Sequence, residues 1–95
     1  MSRPATVKFR LYAAVGTQNS AQALTNLTAL CNTHLAGRHE IEVIDVFREP
    51  KRALADGIRM TPTLIKLSPS PVCRIVGTLS HSERVMLALG LDAAA

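Results

Sequence analysis

The spacing of the apolar residues changes several times along this chain, and that succession limits the folds it can adopt. Val7, Phe9 and Leu11 alternate with polar residues, and this period of two predicts a β-strand. From about residue 20 the apolar residues recur at helical spacing, which predicts a helix that ends near Gly37. Strand and helix therefore follow one another within the first part of the chain.

The middle of the chain repeats this succession. Asn19 or Ser20 is expected to cap the first helix, because either side chain can accept a hydrogen bond from a free backbone N–H. Residues 41–46 are β-branched at nearly every apolar position, which predicts a buried strand. Pro50 suits the first turn of a helix, and the pattern predicts a short helix through Ala55.

The last third of the chain predicts a hairpin followed by a helix. Thr61-Pro62 excludes a helix, and residues 63–67 and 72–76 form two strand patterns around a proline-rich turn. Ser80 and Glu83 then have the spacing of a capping box, which predicts the start of a final helix.

These elements predict one α/β domain over residues 1–95, with a four-stranded mixed sheet and helices on both faces. The order βαβαββα is that of a thioredoxin-like domain, which has a cis proline just before its third strand. Pro62 occupies that position. We expect the Thr61–Pro62 bond to be cis from this analogy, because X–Pro bonds in general prefer trans.

Composition excludes several classes of function. No apolar stretch is long enough to span a bilayer, and no signal peptide is evident, so we expect a cytoplasmic protein that does not act at a membrane. The chain has one Tyr, two Phe and no Trp, which disfavours binding to nucleic acid by base stacking. Its net charge of +4 permits an acidic partner without requiring one.

Redox and metal chemistry also lack their usual residues. In a thioredoxin-like domain the catalytic dithiol lies at the start of the first helix, where residues 15–20 contain no cysteine. Cys31 lies on the apolar face of the first helix and is expected in the core, whereas Cys73 is expected to be buried or half-exposed. The histidines do not have metal-ligand spacing, so no metal site is expected.

A series of short motifs, in order and nearly without gaps, supports a family assignment: Leu11-Tyr12, Thr17, Asn19-Ser20, Val43-Ile44-Asp45-Val46, Thr61-Pro62-Thr63-Leu64, Lys66, Pro69, Pro71-Val72, Arg74-Ile75, Gly77, Leu79-Ser80 and Glu83. With these residues the chain resembles the KaiB family of circadian clock proteins, from about Val7 to Leu91.

The resemblance implies an adaptor without catalytic activity or cofactor, which docks on the N-terminal ATPase ring of a KaiC-type ATPase. It also implies two folds. One is a tetrameric ground state, and the other is a monomeric thioredoxin-like state that binds KaiC. The exchange between them would rebuild the chain after about Asp45. A related thioredoxin-like module begins the SasA sensor kinase and binds the same ring.

The resemblance and the charge pattern together predict the residues that contact the partner. A basic set, Arg48, Lys51, Arg52 and Arg59, surrounds the short second helix, and a solvated surface is the alternative interpretation. The predicted partner-binding residues are Lys51, Arg52, Lys66 and Arg74. In the family a lysine that helps to bind KaiC precedes the Thr-Pro pair, and this chain has Gly57 there.

Five residues are expected to determine which fold is populated: Pro62, Pro71, Ser80, Glu83 and Ala88. The family commonly has glycine at position 88, and alanine is better than glycine inside a helix by about 0.8–1 kcal/mol. We therefore expect this chain to favour the monomeric thioredoxin-like state. The tetrameric ground state is the alternative.

Two other functions stay open at this point. The chain could be a degenerate thioredoxin-like module that acts on another signalling or stress-response partner. It could also be an enzyme that uses Cys73, for example as a peroxidase or in a glutathione-dependent activity. Alkylation of both cysteines separates the enzyme from either binding function, because only the enzyme would need a free thiol.

Overall fold

A computed structural model describes residues 6–91 of the chain. The elements follow the predicted order: β1 (Val7–Ala13), α1 (Gln18–His34), β2 (His39–Asp45), α2 (Pro50–Ala55), β3 (Thr63–Ser68), β4 (Cys73–Val76) and α3 (Ser82–Ala88). The predicted domain over residues 1–95 includes end segments that lie outside the described residues.

The strands form one mixed sheet in the order β2-β1-β3-β4. β1 runs parallel to β2 and antiparallel to β3, and β3 and β4 form the predicted antiparallel hairpin. This arrangement confirms the thioredoxin-like fold class. The alternative ground-state fold is not the conformation described.

Alternation along the strands divides the core into two layers. Phe9 and Leu11 of β1 point to the face covered by α1 and α3, where they join the larger apolar cluster with Leu27 and Leu89. The opposite face carries a smaller cluster of Tyr12, Ile44, Ala53 and Ile65, beneath α2. We call this second face of the sheet the α2 face.

The strand predicted at residues 41–46 is present as β2, but the prediction that it is buried is wrong. β2 is an edge strand that pairs only with β1, and of its seven residues only Ile44 is buried. β-branched residues suit an edge strand as well as a central one, so the composition of this segment did not fix its place in the sheet.

The predicted caps of the first helix are also wrong. α1 begins at Gln18, with Thr17 as its N-cap residue and no side-chain capping hydrogen bond. Ser20 is buried inside the helix, and its Oγ accepts a hydrogen bond of 2.9 Å from the Ala14 N–H. Ser20 therefore connects the helix to the end of β1, and Asn19 lies in the first turn.

The capping box at Ser80 and Glu83 does not form. α3 begins at Ser82, its N-cap residue His81 makes no side-chain capping hydrogen bond, and the Ser80 hydroxyl bonds to the Thr78 hydroxyl at 2.6 Å. Glu83 lies in the first turn, where a carboxylate still favours the helix. Ser80 therefore lies one residue before the N-cap position, and its hydroxyl bonds to Thr78 and not to the backbone of α3.

The Thr61–Pro62 bond is cis, as predicted, and Pro62 is buried at the start of β3. The bonds before Pro69 and Pro71, in the turn between β3 and β4, are cis as well. Ala88 is the last residue of α3.

Candidate functional site

The short helix α2 contains two of the four predicted partner-binding residues, Lys51 and Arg52. Pro50 stands in its first turn, and Gly57 follows it with φ +68°, a backbone conformation that favours glycine. α2 has six residues, of which only Ala53 is buried. Because isolated helices of this length are unstable in water, contacts with the sheet must hold it in place.

A polar network pins the C-terminal end of α2 to the first strand. The buried Tyr12 hydroxyl donates to the Asp56 carboxylate and lies 3.2 Å from the Arg52 carbonyl oxygen. Arg10 donates to Asp56 through Nη1 at 3.1 Å and to Glu42 through Nε at 3.0 Å. We call Arg10, Tyr12, Glu42, Arg52 and Asp56 the α2 network.

Arg52, one of the predicted contacts, belongs to this network. Its Nη2 lies 3.1 Å from Glu42 Oε2, and its Nη1 lies 3.4 Å from Glu49 Oε1. Its side chain keeps 40% of its surface exposed. Arg52 therefore orders the surface around α2 and can still reach a partner.

Hydrogen bonds set the ionisation of the carboxylates in the network. The bond from Tyr12, followed by the bond from Arg10, lowers the pKa of Asp56. The bond from Arg10 likewise lowers the pKa of Glu42, and burial raises the pKa of the Tyr12 hydroxyl. At neutral pH the network thus contains two carboxylates, two guanidinium groups and a neutral phenol.

These shifts predict an acid-sensitive stability. A carboxyl whose pKa is lower in the folded chain stabilises the fold above its unfolded-state pKa of about 4, and that contribution is lost as the pH falls through the folded-state value. We expect Asp56→Asn to lower the free energy of unfolding near pH 7, with a difference from the wild type that shrinks towards pH 3. Urea unfolding at several pH values measures it.

The matched control for this prediction is Glu40→Gln. Glu40 forms an exposed pair with Lys8, with 3.9 Å between Oε2 and Nζ, and such pairs contribute little to stability. Its unfolding should follow the wild type at every pH. A wild-type-like pH profile for Asp56→Asn would show that the network does not stabilise the fold.

Lys51 on α2 and Arg74 on β4 have exposed side chains. Arg74 pairs with Ile65 across β3 and β4, which places it on the α2 face. A β-carbon on Gly57 would lie 3.9 Å from Arg74 Nη1. In the part of the chain that the structure describes, neither Lys51 nor Arg74 forms an ion pair.

The expectation that Lys66 offers a surface contact is wrong for this conformation. Lys66 alternates with Ile65 along β3 and therefore points to the opposite face from Arg74. It is 1% exposed, and its Nζ donates a hydrogen bond of 2.6 Å to the Leu89 carbonyl oxygen. Lys66 thus supports the end of α3 from inside the core.

Sequence reasoning missed four members of the α2 network, namely Arg10, Tyr12, Glu42 and Asp56. The only signal was the opposite charge of Arg10 and Glu42, which are direct partners in the β1–β2 register. That register was not available from the spacing of apolar residues alone.

The two cysteines differ in their surroundings. Cys31 is buried in the larger cluster, as predicted, and burial raises the pKa of its thiol to about 11. Cys73 is half-buried, and its thiol donates to the Pro71 carbonyl oxygen at 3.4 Å. Over residues 6–91 we find no cluster of side chains suited to a metal ion. None of the helices described there is long and apolar enough to cross a membrane.

Comparison with protein families shows one match over most of the chain. The KaiB domain family matches residues 10–91. The circadian clock oscillator protein KaiB of Prochlorococcus marinus is 45% identical over 91 residues, which cover 96% of this chain and 78% of that protein. The circadian clock protein KaiB3 of Synechocystis sp. is 41% identical over 90% of this chain and 82% of its own.

Solved structures with a similar fold are more distant in sequence. A chloroplastic thioredoxin z has a TM-score of 0.77 at 20% identity, over 95% of this chain and 80% of that chain. The N-terminal domain of Synechococcus elongatus SasA has a TM-score of 0.75 at 16% identity, over 97% of this chain and 90% of that domain. At these identities the two structures support the fold alone.

Proposed function

The chain belongs to the KaiB family of circadian clock proteins, and we propose that it acts as a cytoplasmic adaptor that docks on the N-terminal ATPase ring of a KaiC-type ATPase. Docking would use Lys51, Arg52 and Arg74 on the α2 face and would involve no bond chemistry. The likeness in fold to the SasA domain is consistent with a clock partner.

The observation that carries this proposal is the placement of positive charge around α2. Lys51 is exposed on α2 and Arg74 on the neighbouring face of β4, and hydrogen bonds of the α2 network connect the end of this helix to the sheet. The guanidinium of Arg74 approaches Gly57, so a cation stands next to the position where the family resemblance implies a lysine. Exposed charges of this kind increase the association rate with an acidic surface.

The chemistry of the thiols supports an adaptor over an enzyme. The segment between β1 and α1 has no cysteine, and the Cys31 thiol is buried with a raised pKa, which keeps it from forming a thiolate at neutral pH. Cys73 is half-buried.

A degenerate thioredoxin-like module acting on another partner remains the alternative function.

Binding to a purified KaiC-type N-terminal ring tests the proposal. The wild type and a Cys31→Ala/Cys73→Ser variant should bind equally, since neither thiol takes part. Failure of the wild type to bind the ring, with recovery of a different partner from the same cells, would favour the alternative module. Loss of binding in the cysteine variant, with an unchanged fold, would contradict a purely non-covalent adaptor.

We also propose that the thioredoxin-like conformation is the principal state in solution, as a monomer. The absence of the capping box removes one expected source of this preference, but alanine at position 88 still favours α3. Sedimentation should give a monomer, and amide NMR should give one set of resonances with a helical segment over 82–88. A tetramer with this segment in a strand would contradict the proposal.

A further inference from the structure

Three large apolar side chains lie exposed at one end of the sheet. β1 and β2 are parallel, so their carboxyl ends meet at this end, and the antiparallel β3 begins there. Val15 follows β1, Phe47 follows β2 and Met60 precedes β3, with exposed fractions of 57%, 69% and 63%. Single exposed apolar residues are common, but three large ones gathered by the topology at one end are a feature of binding surfaces.

Two unpaired cations flank these residues. Arg48 and Arg59 are exposed next to Phe47 and Met60 in sequence and form no ion pair within residues 6–91. Two acidic residues lie within two positions of Phe47. Asp45 accepts a hydrogen bond from the Phe47 N–H at 3.0 Å, and Glu49 pairs with Arg52, with 3.4 Å between Oε1 and Nη1. We call Val15, Phe47, Arg48, Arg59 and Met60 the edge patch.

A polar depression adjoins the apolar residues. It has a volume of about 410 Å³ and is lined by Thr17, Gln18, Asn19 and Thr61. These side chains are uncharged and can both donate and accept hydrogen bonds. A polypeptide backbone offers the same two functions, so an extended segment could lie in the depression while its side chains contact the apolar residues.

We propose that the edge patch binds a short extended segment of a protein partner, in which an apolar anchor is flanked by carboxylates. The anchor contacts Phe47 and Met60, and the carboxylates face Arg48 and Arg59. A second copy of this chain would bring an equally positive edge and is therefore disfavoured. This site uses other residues than the proposed docking on KaiC and does not depend on it.

A synthetic peptide with one phenylalanine flanked on both sides by aspartates tests the proposal. Added to the isotopically labelled full chain, it should shift the amide resonances of residues 15–19, 47–48 and 59–61. The matched peptide with asparagines in place of the aspartates should bind at least about fivefold more weakly, because it lacks the charge that the arginines attract.

Two variants localise the contact. Phe47→Ser should weaken binding of the aspartate peptide by at least about fivefold, because the phenylalanine of the peptide would lose its aromatic contact on the chain. Leu54→Ser, which changes an equally apolar side chain that is 80% exposed on α2, should leave the affinity unchanged. Shifts confined to α2 or to β4 and α3, equal binding by Phe47→Ser, or no binding would overturn the proposal.

Discussion

Lys66→Glu is expected to lower the free energy of unfolding by about 3–5 kcal/mol, as found when a buried charged group loses its partner. Lys66 is buried, and its ammonium donates to the Leu89 carbonyl oxygen at the end of α3. A glutamate there would face that carbonyl with a second acceptor and leave both oxygens without a donor. Urea unfolding followed by circular dichroism measures the loss.

The replacement Lys66→Met separates packing from charge. Methionine keeps the unbranched stem and removes only the donor, so it should cost about 1–3 kcal/mol, the penalty for one unsatisfied buried group. Arg74→Met on the exposed α2 face should stay within about 0.5 kcal/mol of the wild type. If the Lys66→Glu protein were as stable as the wild type and had lost only partner binding, Lys66 would be a surface contact, as the sequence predicted, and not a buried support of α3.

The second large effect concerns docking. Reversing the exposed cations on α2 and β4 together, as Lys51→Glu with Arg74→Glu, should weaken binding to the KaiC-type ring by about ten- to a hundredfold. Neither side chain forms an ion pair within the described range, but the charge of Arg74 contributes to lowering the pKa of Asp56. Circular dichroism of the double variant therefore checks first that the fold is intact. Titration of the ring at several salt concentrations measures the affinity, which should fall as salt rises for the wild type.

The matched control is a single charge reversal on another part of the surface. Arg84 is exposed on α3, where it lines the cleft against β4, and Arg84→Glu changes the net charge by the same amount as Arg74→Glu. Arg84→Glu gives the effect of the change in net charge alone, and Arg74→Glu should weaken docking by more than that. Equal effects of the two single variants would indicate long-range attraction without a specific contact at α2.

The succession of apolar periods was sufficient to predict the order of elements and the thioredoxin-like sheet. Period-two and period-3.6 patterns depend on local geometry alone, and Pro62 fell where the fold has its cis proline. The same patterns could not distinguish an edge strand from a central one. β2 is rich in β-branched residues, yet it lies at the edge because only β1 pairs with it.

The candidate site was predicted less well, because its geometry depends on strand register. Lys66 and Arg74 both looked like surface cations in the sequence. In the sheet Lys66 pairs with Cys73 and Arg74 pairs with Ile65, so the two cations point to opposite faces. A shift of one residue in either strand would reverse this outcome, and no local pattern fixes such a shift.

Hydrogen exchange of the chain bound to the KaiC-type ring tests the proposed docking face most directly. If the α2 face is the contact, exchange should slow over residues 50–58 and in β4 around Arg74, and amides of the buried strand β1 should change little. Slowed exchange confined to α1 and α3, with residues 50–58 unaffected in a saturated complex, would contradict docking through α2.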